Sequence, residues 1–256
     1  MWLIHGQRYE KIEKKKKIII IIAFSFAMNS GVNPVRPLYS PSKVSLIEVF
    51  FVCFALGSLL VVDLWALFHS NYVFLVIFFL TLKVYFVTEF FNTASYQPRS
   101  VTSKSFLIYG SRGNQEFWWM QMLTVVEVLF KPWGEHRLTA VIGAAIAIVG
   151  LYMRHLAMKQ CSDSFNHYIA TVRKPHHKLV TSGVYAILRH PSYLGFWLYV
   201  IGTQLLLNTY TNLVLDILIL HYFFTKRIAY EEWMLVNKFY GQDYVEYQKR
   251  VGVYIP

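Results

Sequence analysis

His190, Pro191, Ser192 and Tyr193 stand at the head of one apolar run, and Arg227 and Glu231 stand just past the end of the next. A proline suits the first turn of a helix, where its missing N–H costs nothing and the remaining free N–H groups attract anions. Arg227 and Glu231 are four residues apart, hence on one face of a helix. A guanidinium can grip a carboxylate in a two-bond fork, and a carboxylate can hold a cationic ligand. Each pattern alone also has an ordinary reading: a helix start, and a snorkelling arginine with a surface partner worth about 0.3 to 0.5 kcal/mol. Their relation to each other gives them weight. The apolar runs 193–207 and 210–224 are separated by Asn208 and Thr209 alone, so they form a hairpin. That hairpin returns Arg227 and Glu231 to the face that carries His190 to Tyr193, and one pocket then combines a guanidinium, a carboxylate and a helix N-terminus.

The elements that must position these residues follow from composition. The 256-residue chain is 55% hydrophobic and 15% charged, more apolar surface than one soluble core can hide. Apolar stretches of about 18 residues or more cross a hydrocarbon core roughly 30 Å thick. Residues 44–68 and 72–91 form one pair, 117–130 is a shorter stretch interrupted by Glu127, and 138–158 carries the small residues Gly143, Ala144, Ala145, Ala147 and Gly150 that let helices approach closely. With the final hairpin this predicts an all-α polytopic membrane protein of about six transmembrane helices, with the chemistry gathered in a cytosolic C-terminal region. The expected organisation is a basic and apolar lead-in over 1–43, four spans within 44–160, and the chemical region over 161–256. Lys14 to Lys17 followed by the apolar segment 18–28 is too short to span comfortably; we read it as a cytosolic or interfacial lead-in, with a signal peptide or anchor as the alternative.

Short cytosolic loops carry an excess of lysine and arginine. With the N-terminus inside, the cytosolic side receives Arg99, Lys104, Arg112, Arg154, Lys159, Arg173, Lys174, Lys178, Arg189, Lys226 and Arg227, and the opposite side keeps Lys131 and Arg137. The net charge of +11 therefore reads as topology and attraction to anionic lipid, with no role for nucleic acid. Cys53 and Cys161 are placed too far apart in this topology to pair, and no zinc spacing or phosphate loop is present. Glu48, Asp63, Lys83, Glu89, Glu127 and Asp216 fall in or beside the apolar segments, where charge is expensive. They are either paired between helices or parts of an ion pathway, which leaves a membrane transporter as a minor alternative.

The C-terminal part of the chain resembles the isoprenylcysteine carboxyl methyltransferase family, over roughly residues 85–256. The resemblance is carried by SFNH (164–167), HKLVTSGVY (177–185), RHPSYLGF (189–196), IGTQLLL (201–207), RIAYEE (227–232) and the ending EYQKRVGVYIP. It implies an endoplasmic-reticulum membrane enzyme, with its site facing the cytosol, that methylates the C-terminal carboxylate of prenylated cysteine in CaaX-processed proteins. It further implies S-adenosyl-L-methionine as cofactor, with contacts at His177, Leu179, Val180, Tyr185, His190, Ser192, Tyr193 and Glu231, and the helix start at Pro191 receiving the cofactor's carboxylate. Arg227 would face the substrate, with Arg227 and Glu231 as the catalytic pair. Ala170 departs from the family pattern, which carries a polar residue there. Phospholipid N-methyltransferases share the RHPSY string and supply the alternative activity.

Overall fold

The structure, a computed structural model, describes residues 44–98, 100–110, 114–131 and 136–255. The lead-in over 1–43, with its lysine run and its segment 18–28, lies outside the described residues, as do Arg99 and Arg112 of the orientation argument. The described residues hold seven α-helices and no strand beyond one isolated bridge, Leu188 with Gly252. They are α1 (Leu46–His69), α2 (Val73–Tyr96), α3 (Asn114–Phe130), α4 (Arg137–Cys161), α5 (Pro191–Leu207), α6 (Tyr210–Met234) and α7 (Gln242–Arg250).

Each expected apolar stretch is a helix, and three are long and apolar enough to cross a membrane: α1, α2 and α4. At about 1.5 Å per residue the 17 residues of α3 and of α5 fall short of a full span, and α6 carries too much charge over its 25 residues to be counted by composition. All-helical membrane architecture is therefore what the chain has, and the count of six crossings goes beyond it. Ser45 caps α1 by accepting the Glu48 N–H at 3.3 Å. Apart from Asp63, α1 leaves its side chains outside the core, with Ile47, Phe50, Phe51, Phe54, Val61, Trp65 and Phe68 all exposed, as suits a helix sheathed by lipid.

The closest packing is between α4 and α5, and glycines make it possible. A Cβ at Gly195 would lie 2.7 Å from the carbonyl oxygen of Gly150, and one at Gly202 equally close to that of Gly143. Backbone thus meets backbone at two levels, one helical turn or more apart, which is how helices associate where lipid removes the hydrophobic drive. Around this pair a core forms from Leu82, Tyr85 and Phe86 of α2, Ala147, Tyr199, Val200, and Leu220, Phe224 and Ile228 of α6. α5 ends where Asn208 adopts a left-handed conformation (φ 55°) and returns its N–H to the carbonyls of Gln204 and Leu205, so α6 starts after a single further residue.

The ionisable residues in the apolar segments all have partners. Lys83 bonds Asp63 at 2.6 Å, Ser103 donates to Glu48, and Arg154 forms a two-bond fork with Glu89. At the opposite end of the bundle Glu127 accepts the N–H groups of Thr211 (3.0 Å) and Asn212 (2.8 Å), capping α6, while Gln204 bridges Asp216 (2.6 Å) and Thr124 (2.9 Å). Pairing of this kind accounts for the expense of charge in an apolar setting. These contacts also define two ends of the bundle. The start of α6 and the end of α5 share one end with Glu127 and Lys131; the start of α5 and the exit of α6 lie at the other.

Candidate active site

α6 runs ten residues past its apolar part, and that polar extension carries Arg227, Glu231 and Glu232 alongside the start of α5. The hydroxyl of Tyr193 is the junction: it donates to Glu231 Oε2 at 2.6 Å and accepts from Arg227 Nε at 2.8 Å. The Arg227 guanidinium lies over the Tyr193 ring, 5.3 Å from its centroid, and its Nη2 donates to the His167 carbonyl at 2.6 Å. Hairpin geometry therefore brings together the residues whose spacing suggested a common pocket.

Behind the α5 start the support is ionic. Arg189 forks onto Glu232 (2.7 and 3.3 Å), and His190 Nε2 lies 3.0 Å from the same carboxylate. Burial works against the Glu232 charge, yet hydrogen bonds and charge from His190 and Arg189 outweigh it and bring its pKa down to about 2. Gln248 of α7 adds a bond at 2.9 Å, and Arg189 also reaches the carbonyls of Gln248 and Val251, so the C-terminal helix and tail are strapped to the residues that start α5. Beneath the first turn of α5, Arg154 donates to Ser192 Oγ at 2.8 Å while held by Glu89. That turn offers fewer free donors than a generic helix start: Pro191 has no N–H, and the Tyr193 N–H bonds back to His190 O at 3.1 Å.

A cavity of about 110 Å³, partly open to solvent, lies against this assembly. Leu179, Val180, Tyr185, His190, Pro191, Ser192, Tyr193 and Glu231 line it. A smaller cavity of about 50 Å³ shares Ser164, Asn166, Glu231, Leu235 and Tyr240 with it and adds His177 and Ala170. The nine residues expected to touch a cofactor thus line two cavities that share part of their walls, whereas Arg227 lines neither and is bonded to the lining residue Tyr193. His177 takes the Lys174 N–H on Nδ1 at 3.4 Å, and burial together with His176, Lys174 and Arg173 lowers its pKa.

Sequence reasoning passed over other lining residues. Tyr240 closes a π-helical turn over Leu235–Tyr240, and Tyr244 and Tyr247 come from α7. π-turns recur at functional sites, but nothing in the local sequence marks this one. Tyr247 donates to the Tyr185 carbonyl at 2.5 Å, and Tyr185 in turn donates to Ala157 O at 3.2 Å, so the aromatic wall is braced on α4. Glu89 was legible as a costly charge without a partner, and Arg154 only as one of the cytosolic cations.

Comparison with known proteins places this geometry. Residues 141–237 match the isoprenylcysteine carboxyl methyltransferase family. The chain is 36% identical to the protein-S-isoprenylcysteine O-methyltransferase of Saccharomyces cerevisiae over 191 residues, covering 70% of this chain and 78% of that protein. It is 34% identical to the enzyme of the same name from Schizosaccharomyces pombe, covering 70% and 82%. A solved eukaryotic intramembrane Ras methyltransferase, an isoprenylcysteine carboxyl methyltransferase, superposes with a TM-score of 0.74 at 27% identity, over 93% of this chain and 85% of that one. A relative this similar over most of its length, a matching family model and the same fold in a solved structure together mean that the chain belongs to the isoprenylcysteine carboxyl methyltransferase family.

Proposed function

We propose that the protein is a membrane-embedded protein-S-isoprenylcysteine O-methyltransferase, acting on the C-terminal carboxylate of prenylated cysteine in CaaX-processed proteins with S-adenosyl-L-methionine as donor. The observation that carries the reading is the Tyr193 junction, which joins Arg227 to Glu231 at the margin of the cavity. The lining fits the donor. Glu231 supplies a carboxylate toward a cationic group, the ring faces of Tyr185, Tyr240, Tyr244 and Tyr247 suit a planar base, and the α5 start over Arg154 suits a carboxylate. When bound, S-adenosylmethionine supplies an electrophilic methyl on a sulfonium.

A C-terminal carboxylate has a pKa near 3.5, so it is ionised at neutral pH and needs no base. What the chain must supply is alignment. Arg227 has its planar guanidinium fixed by Tyr193 and His167, and its Nη1 has no partner among the described residues; that free edge is suited to orient a carboxylate oxygen toward the cavity. A prenyl chain gains about 0.8 kcal/mol per buried CH₂, so the substrate already resides in lipid, and a site at the end of apolar helices meets it there. We assign the endoplasmic reticulum membrane on the family resemblance, and the cavity to the cytosolic side on the lysine and arginine distribution. Purified protein given labelled methyl donor should methylate N-acetyl-farnesylcysteine and leave phosphatidylethanolamine unlabelled; labelling of the lipid alone would replace this reading with a phospholipid N-methyltransferase.

A further inference from the structure

Within the SFNH string, Ser164 and Asn166 line the cavities, whereas the ring of His167 is turned to α2. The Thr93 hydroxyl donates its single proton to the Glu89 carbonyl at 2.8 Å, so its oxygen accepts from the imidazole, 3.2 Å away. With the Thr93 proton so engaged, the bond is made by the tautomer that carries its proton on Nε2. Its Nδ1 lies 3.8 Å from Glu89 Oε2, in the carboxylate that also holds Arg154. Burial, opposed by Glu89 and reinforced by Arg154 and Arg227, brings the His167 pKa down to about 4, which keeps the ring neutral and its tautomer set by Thr93.

The same residue acts in the other direction through its backbone. Its carbonyl accepts Arg227 Nη2 at 2.6 Å, and Tyr193 accepts Nε at 2.8 Å. Two acceptors at fixed positions define the plane of a guanidinium, and one of them belongs to a loop rather than a helix. A loop carbonyl keeps its place only if something anchors the loop, and here the anchor is the imidazole on Thr93, whose residue is buried. We propose that His167 is a positioning residue for Arg227: its side chain, keyed to Thr93, fixes the carbonyl that fixes the guanidinium.

The inference rests on the carboxylate-orienting reading of Arg227. Full-length enzyme carrying His167→Leu, His167→Gln or Thr93→Val is assayed for kcat and KM with N-acetyl-farnesylcysteine, and for S-adenosylhomocysteine affinity. His167→Leu should lower kcat about 10- to 100-fold with cofactor affinity within about threefold of the parent. Thr93→Val, which keeps shape and removes the hydroxyl, should lower kcat in the same direction. His167→Gln, whose amide nitrogen can stand where Nε2 stood, should recover most of the rate. An unchanged kcat in the Leu and Val variants, a loss that follows cofactor affinity, or no recovery with Gln would overturn the proposal. Arg227→Ala is the control that separates the two ideas: full activity in that variant sinks the role of Arg227 itself.

Discussion

Glu231 and Glu232 are adjacent in the chain and face different tasks. Glu231 takes the Tyr193 hydroxyl at 2.6 Å and lines the cavity, while Glu232 turns to Arg189, His190 and Gln248 and ties the C-terminal helix to the start of α5. Neutralising them should therefore have separable effects. Glu231→Gln should weaken S-adenosylhomocysteine binding about tenfold, the worth of one charge-assisted contact, with little change in thermal stability. Glu232→Gln leaves the Arg189 guanidinium without its carboxylate and should destabilise by about 3 kcal/mol. Calorimetry of the detergent-solubilised variants separates the two outcomes.

Glu232 also sets a pH dependence whose sign can be fixed. Its folded value of about 2 lies below the ordinary 4.5, so the folded state favours the ionised form. That stabilisation is fully present above the ordinary value and is lost as pH falls through the folded one. The Tm of the parent protein should accordingly fall as pH is lowered from 4.5 toward 2, and the Glu232→Gln variant should lack that part of the decline.

Arg227→Lys tests orientation against charge. Lysine keeps a cation but cannot bond the Tyr193 hydroxyl and the His167 carbonyl in one plane while presenting a free edge. The variant should lose about 100-fold in kcat, with KM for the prenylcysteine changed much less. Equal activity would mean that a positive charge alone suffices.

The helices were readable because apolar length and hairpin spacing are local properties: Asn208 and Thr209 left room for nothing but a tight return, and the structure has α5 and α6 there. The pocket followed from that return alone. What could not be read was set by distant partners. Glu89 and Arg154 are 65 residues apart, and neither marks the other in sequence. Tyr244 and Tyr247 sit on a short polar helix whose place depends on the Arg189 and Glu232 contacts at its end. The continuation of α6 past its apolar run was legible from the spacing of Arg227 and Glu231, but hydropathy, which stops where lipid contact stops, could not mark its end at Met234.

The glycines divide by what faces them. A Cβ at Gly195 would lie 2.7 Å from the Gly150 carbonyl and 2.8 Å from the Arg154 nitrogen, backbone atoms that cannot give way cheaply. Gly195→Val should force α4 and α5 apart, cost about 3 kcal/mol and move the α5 start that carries Ser192 and Tyr193, so activity should fall with stability. At Gly57 nothing lies within 4 Å, and Gly57→Ala should change stability by less than about 1 kcal/mol, in the favourable direction set by helix propensity. Thermal unfolding of both variants in one detergent makes the comparison.

Glu127 and Asp216 lie at the end of the bundle remote from Arg227 and Glu231, and their contacts are those of structure. Glu127 satisfies N–H groups of the first turn of α6, so Glu127→Ala should cost about 1 to 2 kcal/mol, the usual worth of a helix cap. Asp216→Asn keeps the shape that bonds Gln204 and removes only the charge. Both should leave kcat for N-acetyl-farnesylcysteine unchanged in protein that remains folded. A transporter would respond in the opposite way, since a relay of carboxylates through the apolar segments cannot lose a member and still carry ions. Loss of methyl transfer in folded Asp216→Asn would show that the far-end cluster takes part in the chemistry, and it would undo the separation of the bundle into a structural end and a reactive one.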